Sequence, residues 1–182
     1  MNSVKETSEK RTNKTLFPGV GNLLLSDEGA GLRVVERLVT THDLPDQVTV
    51  LDGGTLGLDL LHYLDGVDDL LIIDAVEMGE QPGTILRMED DEVPSFLSLK
   101  MSPHQIGIPD MLFAARLRDL YPSNVVLWGV QPGLLDLGLE LSPPVAAQID
   151  VLVENVLEQL RRWGYHVQLP SEHGATADSA SA

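Results

Sequence analysis

Cysteine is absent from this chain of 182 residues. A disulfide framework, a thiolate zinc site, an iron–sulfur cluster and a cysteine nucleophile are therefore excluded within it, and any metal it contacts must meet oxygen or imidazole. Basic residues are also scarce. Lys and Arg number 12 against 28 Asp and Glu, for a formal net charge of −16. A surface of that sign repels phosphate backbones and anionic lipid, so no nucleic acid and no membrane are expected as partners. Aromatic residues make up 4% of the chain and hydrophobic residues 43%, which implies an aliphatic core. Missing too is any apolar run near the ~18 residues of a membrane span, and the N-terminal stretch MNSVKETSEKRTNKT has none of the apolar character of a secretory signal. A cytoplasmic protein follows as the expectation, with one core and a monomeric state.

What the chain does contain is an alternation of short Val-, Leu- and Ile-rich runs with longer amphipathic stretches, the pattern of an α/β domain. The runs are Leu16–Val20, Val48–Leu51, Leu70–Ile73 and Val125–Val130, with a further strand at Thr84–Met88. The third is apolar at every position, as a strand covered on both faces by helices must be. Pro18 inside the first run predicts an edge-like, shortened or irregular strand. Between the runs, Leu32, Val35, Leu38 and Val39 form one helical stripe, Leu58, Leu61 and Leu64 a second, and Met111, Leu112, Ala115, Leu117 and Leu120 a third. Ser142 reads as the N-cap of a last helix whose stripe runs from Val145 to Leu160 and stops near Gly164. The expected fold is a single three-layer α/β domain over residues 15–169, a twisted mostly parallel sheet with helices on both faces. Residues 1–14 read as a flexible arm and 170–182 as a disordered tail.

In an open parallel sheet, ligands bind outside the carboxyl ends of the strands. That rule selects Gly19–Asn22, Asp52–Thr55, Asp74 and Gln131, on the same rim as Leu25–Gly31. The glycine loop at Gly19–Leu24 lacks the third glycine of a dinucleotide site, since Leu24 stands in that place. No GxSxG, HExxH or P-loop occurs. There remain separated oxygen and nitrogen ligands: Asp27 or Glu28, Asp52 or Asp74, and His104. Two carboxylates and one imidazole suit zinc or nickel. Each also has a plainer role. Asp27 and Glu28 could serve the positive end of the following helix, Asp52 and Asp74 could hold turns, and His104 could be a solvated turn residue.

Four colinear motifs carry more weight than any one of these. GVGNLLLSDEGAGLRVVE at Gly19–Glu36, LDGGTLGLDLL at Leu51–Leu61, LLIIDAVEMGEQPGT at Leu70–Thr84 and SPHQIG at Ser102–Gly107, with DDEVP at Asp90–Pro94 and GVQP at Gly129–Pro132, resemble the endopeptidases that mature nickel–iron hydrogenases. The resemblance implies a protease that removes the C-terminal peptide from the hydrogenase large-subunit precursor once nickel has been inserted. It places the metal-contacting and catalytic roles on Glu28, Asp74 and His104, and it implies nickel supplied by the substrate. A chaperone that senses nickel in the large subunit without cutting it is the competing expectation.

Overall fold

The computed structural model describes residues 13–100 and 107–169. Five strands form one sheet: β1 (Thr15–Val20), β2 (Val48–Gly54), β3 (Asp69–Ala75), β4 (Ile85–Glu89) and β5 (Asn124–Val130). Their spatial order is β2-β1-β3-β5-β4, parallel except for β4, which runs antiparallel to β5. Five α-helices accompany them: α1 (Ala30–Thr41), α2 (Glu92–Lys100), α3 (Ile108–Leu117), α4 (Pro143–Ala146) and α5 (Ile149–Arg162). Two 3-10 segments complete the set among the described residues, Ser26–Gly29 before α1 and Gly57–Tyr63 after β2.

The sheet's alternation explains its two covers. Phe17, Leu71, Ile73, Val126 and Val130 face one side and pack with Val34 and Leu38 of α1 and Leu152, Val156 and Leu160 of α5. Leu16, Leu70, Ile72, Val125 and Leu127 face the other, against Leu60 and Leu61 of the second 3-10 segment, Val93 and Leu97 of α2 and Met111 and Leu112 of α3. This is the expected three-layer arrangement, and among the residues whose burial is described the core is aliphatic apart from Phe17 and Tyr165. Among the described residues no helix is long and apolar enough to cross a membrane.

Several sequence expectations are corrected here. β1 is not an edge strand; it is paired on both sides and buried over most of its length. Pro18 lacks an N–H to donate, and the ladder to β3 shows it as an irregularity, passing from the Leu16–Leu70 pair to the Gly19–Ile73 pair. In α1 the inward positions include Val34, while Val39 is exposed; Leu58 and Leu117 are likewise exposed. The last helix is two helices, α4 and α5, broken at Ala147–Gln148. Helix α2 was not expected from the pattern at all: Pro94 in its first turn and a weakly amphipathic sequence conceal it.

The approach of α1 to the sheet is set by Gly31. A methyl group built there would overlap the carbonyl oxygens of both Ile73 and Val20, and one on Gly19 would sit 2.7 Å from the carbonyl oxygen of Gly31. The close helix–strand packing thus uses Gly31, well beyond the glycine loop where Leu24 had failed the pattern. Gly31→Ala is expected to cost about 1–3 kcal/mol through overpacking. Thermal melting checks this, with a fall in Tm of roughly 3–10 °C.

Candidate active site

Strand order reverses between β1 and β3, since the chain leaves β1 for β2 on one side and returns to β3 on the other. The crevice at the carboxyl ends of these two strands is the topological switch point, where ligands of open α/β sheets bind. Two acidic side chains reach it. Glu28 sits in the 3-10 segment Ser26–Gly29 that follows β1, and Asp74 stands one residue beyond Ile73 near the end of β3. Because Gly31 lets α1 rest on the Ile73 carbonyl, the segment three residues earlier is carried to the neighbourhood of Asp74.

The backbone around Glu28 is fixed from both directions. Its N–H donates to the Leu25 carbonyl at 3.1 Å, and its own carbonyl accepts the Asn22 N–H at 3.2 Å. Gly21, at φ 130°, lies so close beneath that carbonyl that any side chain there would collide with it. Both Gly19-x-Gly21 and Gly29-x-Gly31 therefore serve one purpose, which is to press the Glu28 turn onto the strand ends.

Asp74 is half-buried, and its carboxyl is pushed up to about 7. Desolvation is the chief cause and the charge of Glu28 adds to it, while a hydrogen bond from the Ala75 N–H opposes both. Asp69, at the other end of the same strand, is also raised by desolvation, but its oxygens are met by Asn124 Nδ2 at 2.6 Å and the Tyr165 hydroxyl at 3.4 Å. Asp69 is thus a satisfied structural carboxyl. Asp74 is perturbed inside a crevice beside a second acid, the setting in which perturbed carboxyls do chemistry.

Asp27 proves to have a different office from the one its neighbour holds. It is fully buried. Its Oδ2 accepts the N–H groups of Gly133 and Leu134 at 2.8 Å each and the Ser142 hydroxyl at 2.7 Å, and its Oδ1 accepts the Ser142 N–H at 2.6 Å. Burial alone would raise this carboxyl; the hydrogen bonds, the Ser142 hydroxyl foremost, outweigh it and hold Asp27 below the ordinary aspartate range. Neither Asp27 nor Ser142 acts as a helix cap. Ser142 stands at the N-cap position of α4, but its hydroxyl is committed to Asp27. Nothing local in the sequence signals this bond, which joins residues more than a hundred positions apart.

Asp52 lies on β2, opposite Gly19 in the ladder, and is exposed. The whole of β1 separates it from β3, so it stands one strand outside the crevice occupied by Glu28 and Asp74. Gln131 is buried, and its amide is used internally: Oε1 accepts from the N–H groups of Met78 at 2.6 Å and Glu80 at 3.2 Å, and Nε2 donates to Glu77 and to the Pro132 carbonyl at 3.0 Å each. It pins the loop that follows Asp74. His104 lies outside the described residues. Among the described residues no group of three His, Asp or Glu side chains converges to hold a metal ion.

The arrangement resembles known proteins at three levels. A family model described as hydrogenase maturation protease matches residues 32–159. The chain is 45% identical over 159 residues to the hydrogenase expression/formation protein HupD of Rhodobacter capsulatus, covering 86% of this chain and 76% of that one. It is 43% identical over 152 residues to the hydrogenase 2 maturation protease of Escherichia coli strain K12, covering 83% and 93%. The solved hydrogenase maturating endopeptidase HybD from E. coli superimposes with a TM-score of 0.83 at 41% identity, over 87% of this chain and 99% of that one. With a family model spanning most of the domain and two of these relatives covered over more than nine-tenths of their length, this chain belongs to the hydrogenase maturation protease family.

Proposed function

We propose that this peptidase removes the C-terminal peptide from the precursor of a nickel–iron hydrogenase large subunit, and that nickel already seated in that precursor is what its crevice recognises. The observation that carries the reading is the meeting of Glu28 and Asp74 at the switch point, with Asp74 pushed up to about 7 by desolvation and by the neighbouring charge. Two acids held together in a half-buried crevice repel one another, and a divalent ion arriving with the substrate relieves that repulsion. An apo precursor brings no such relief. The chain's lack of cysteine fits this division, in which thiolate ligands belong to the substrate and oxygen ligands to the protease.

His104 is proposed as the third ligand, an imidazole joining two carboxylates. Two features support the choice. The 101–106 connection joins α2 to α3, and these helices cover the sheet face to which alternation assigns Leu70, Ile72 and then Asp74. Ile108, at the start of α3, is buried in that same layer.

Turnover separates this reading from that of a non-cleaving chaperone. With nickel-loaded precursor in tenfold excess over the protein, mass spectrometry is expected to find more than one released peptide per protein molecule, and none with His104→Ala. A stable stoichiometric complex with no peptide would instead establish the chaperone.

A further inference from the structure

Five leucines stand exposed in one neighbourhood beside the crevice. Leu24 is 60% exposed, Leu135 51%, Leu137 86% and Leu139 58%, with Leu134 also in solvent. Their exposure does not come from a loose loop. The Gly138 N–H donates to the Leu24 carbonyl at 3.0 Å, the Ser26 N–H to the Gly138 carbonyl at 2.9 Å, and the Asp27 N–H to the Leu134 carbonyl at 3.1 Å. The Ser26 hydroxyl holds the Asp136 carbonyl at 3.0 Å, and Arg33 holds that of Leu139 at 3.1 Å. Asp27 binds the N–H groups of Gly133 and Leu134 from beneath. A segment bolted at so many points cannot fold its leucines inward, and a fixed apolar surface of this kind marks an interaction site.

The geometry points to this leucine surface as the docking site for the large-subunit precursor, one that supplies affinity independent of nickel; the inference rests on the function proposed above. Its position argues for that occupant. Ser26 and Asp27, which anchor the segment, immediately precede Glu28, so a body that presents a metal to Glu28 also lies against the leucines. Asp136 and Glu140, both exposed, alternate with the leucines along the segment. The matching precursor surface is therefore apolar with basic residues at its margin. Since no group in the patch ligates metal, its contribution is the same for nickel-loaded and nickel-free precursor.

The test is the Kd of the full chain for nickel-free large-subunit precursor, measured by biolayer interferometry so that no cleavage intervenes. The double variant Leu135→Asp/Leu137→Asp is expected to raise Kd by about tenfold or more, as loss of clustered apolar contacts does at interface centres. Its thermal melt should match the parent's, because both side chains are exposed, and Leu135→Met/Leu137→Met should retain binding. An unchanged Kd in the Asp variant would overturn the proposal, as would a parent chain that does not bind nickel-free precursor. Sedimentation showing a parent dimer and a variant monomer, with precursor Kd unchanged, would give the surface to a second copy of the chain. Failure of the nickel-gating reading would show separately, as equal cleavage of loaded and unloaded precursor by the parent.

Discussion

Glu28→Gln and Asp74→Asn are each expected to lower kcat/KM for nickel-loaded precursor by at least ~10²-fold, more than the loss caused by removing a group that merely orients a metal ligand. The two variants differ in a second readout. Asp74 has a folded-state pKa raised from 3.8 to about 7. Between those values the folded protein binds more protons than the unfolded chain, so the parent loses stability as pH rises from about 4 to about 7. An amide at this position removes that penalty. Asp74→Asn should therefore melt higher than the parent at pH 8 and near the parent's temperature at pH 4. A gain in stability joined to a loss of processing is the mark of a residue kept for function against the interest of the fold.

The same titration shapes the parent's activity. A cation in the substrate needs the carboxylate form of Asp74, so kcat/KM is expected to climb with pH up to about 7 and level off above it, reporting the free enzyme. A profile flat from pH 5 to pH 8 would remove Asp74 from the recognition step.

Asp27→Asn should have the largest effect on stability. The carboxylate, itself fully buried, accepts four hydrogen bonds, three of them from backbone N–H groups. An asparagine keeps one acceptor oxygen and turns an NH₂ group toward donors that need an acceptor. The expected cost is roughly 2–4 kcal/mol, or about 5–15 °C in Tm for a chain of this size. The pH dependence gives the sign. A carboxyl held below the ordinary 3.8 stabilises the fold above that pH, and its contribution is lost as acid protonates it in the folded state. Parent and variant should therefore differ fully at neutral pH and converge on strong acidification. Processing should fall in parallel, because Asp27 ties the Glu28 turn to the leucine segment.

The strand ends were readable in the sequence because burial on both faces leaves an unbroken apolar run, and such runs are hard to mistake at Leu70–Ile73 or Val125–Val130. From the strand ends, the rule for open sheets led directly to Asp74 and to the rim that carries Glu28. Asp52 satisfied the same rule, and the strand order places β1 between it and Asp74. Pro18 misled in part, since a missing donor is ordinarily a sign of an edge, yet here the chain tolerates it inside the sheet by breaking the ladder locally. Asp27 was the larger miss. Its four donors come from residues 133, 134 and 142, and long-range hydrogen bonding leaves no periodicity for a reader to find. Gly31 was hidden for a related reason: its role is set by the carbonyls of two strands, one of which follows it by forty residues.

The most direct test of metal-gated processing is intact-mass spectrometry of the protein mixed with its cognate large-subunit precursor, in parallel nickel-loaded and nickel-free samples. Loss of a C-terminal peptide from the loaded sample alone is the predicted result. Equal loss from both samples would contradict the account, leaving Glu28 and Asp74 without a cation to recognise.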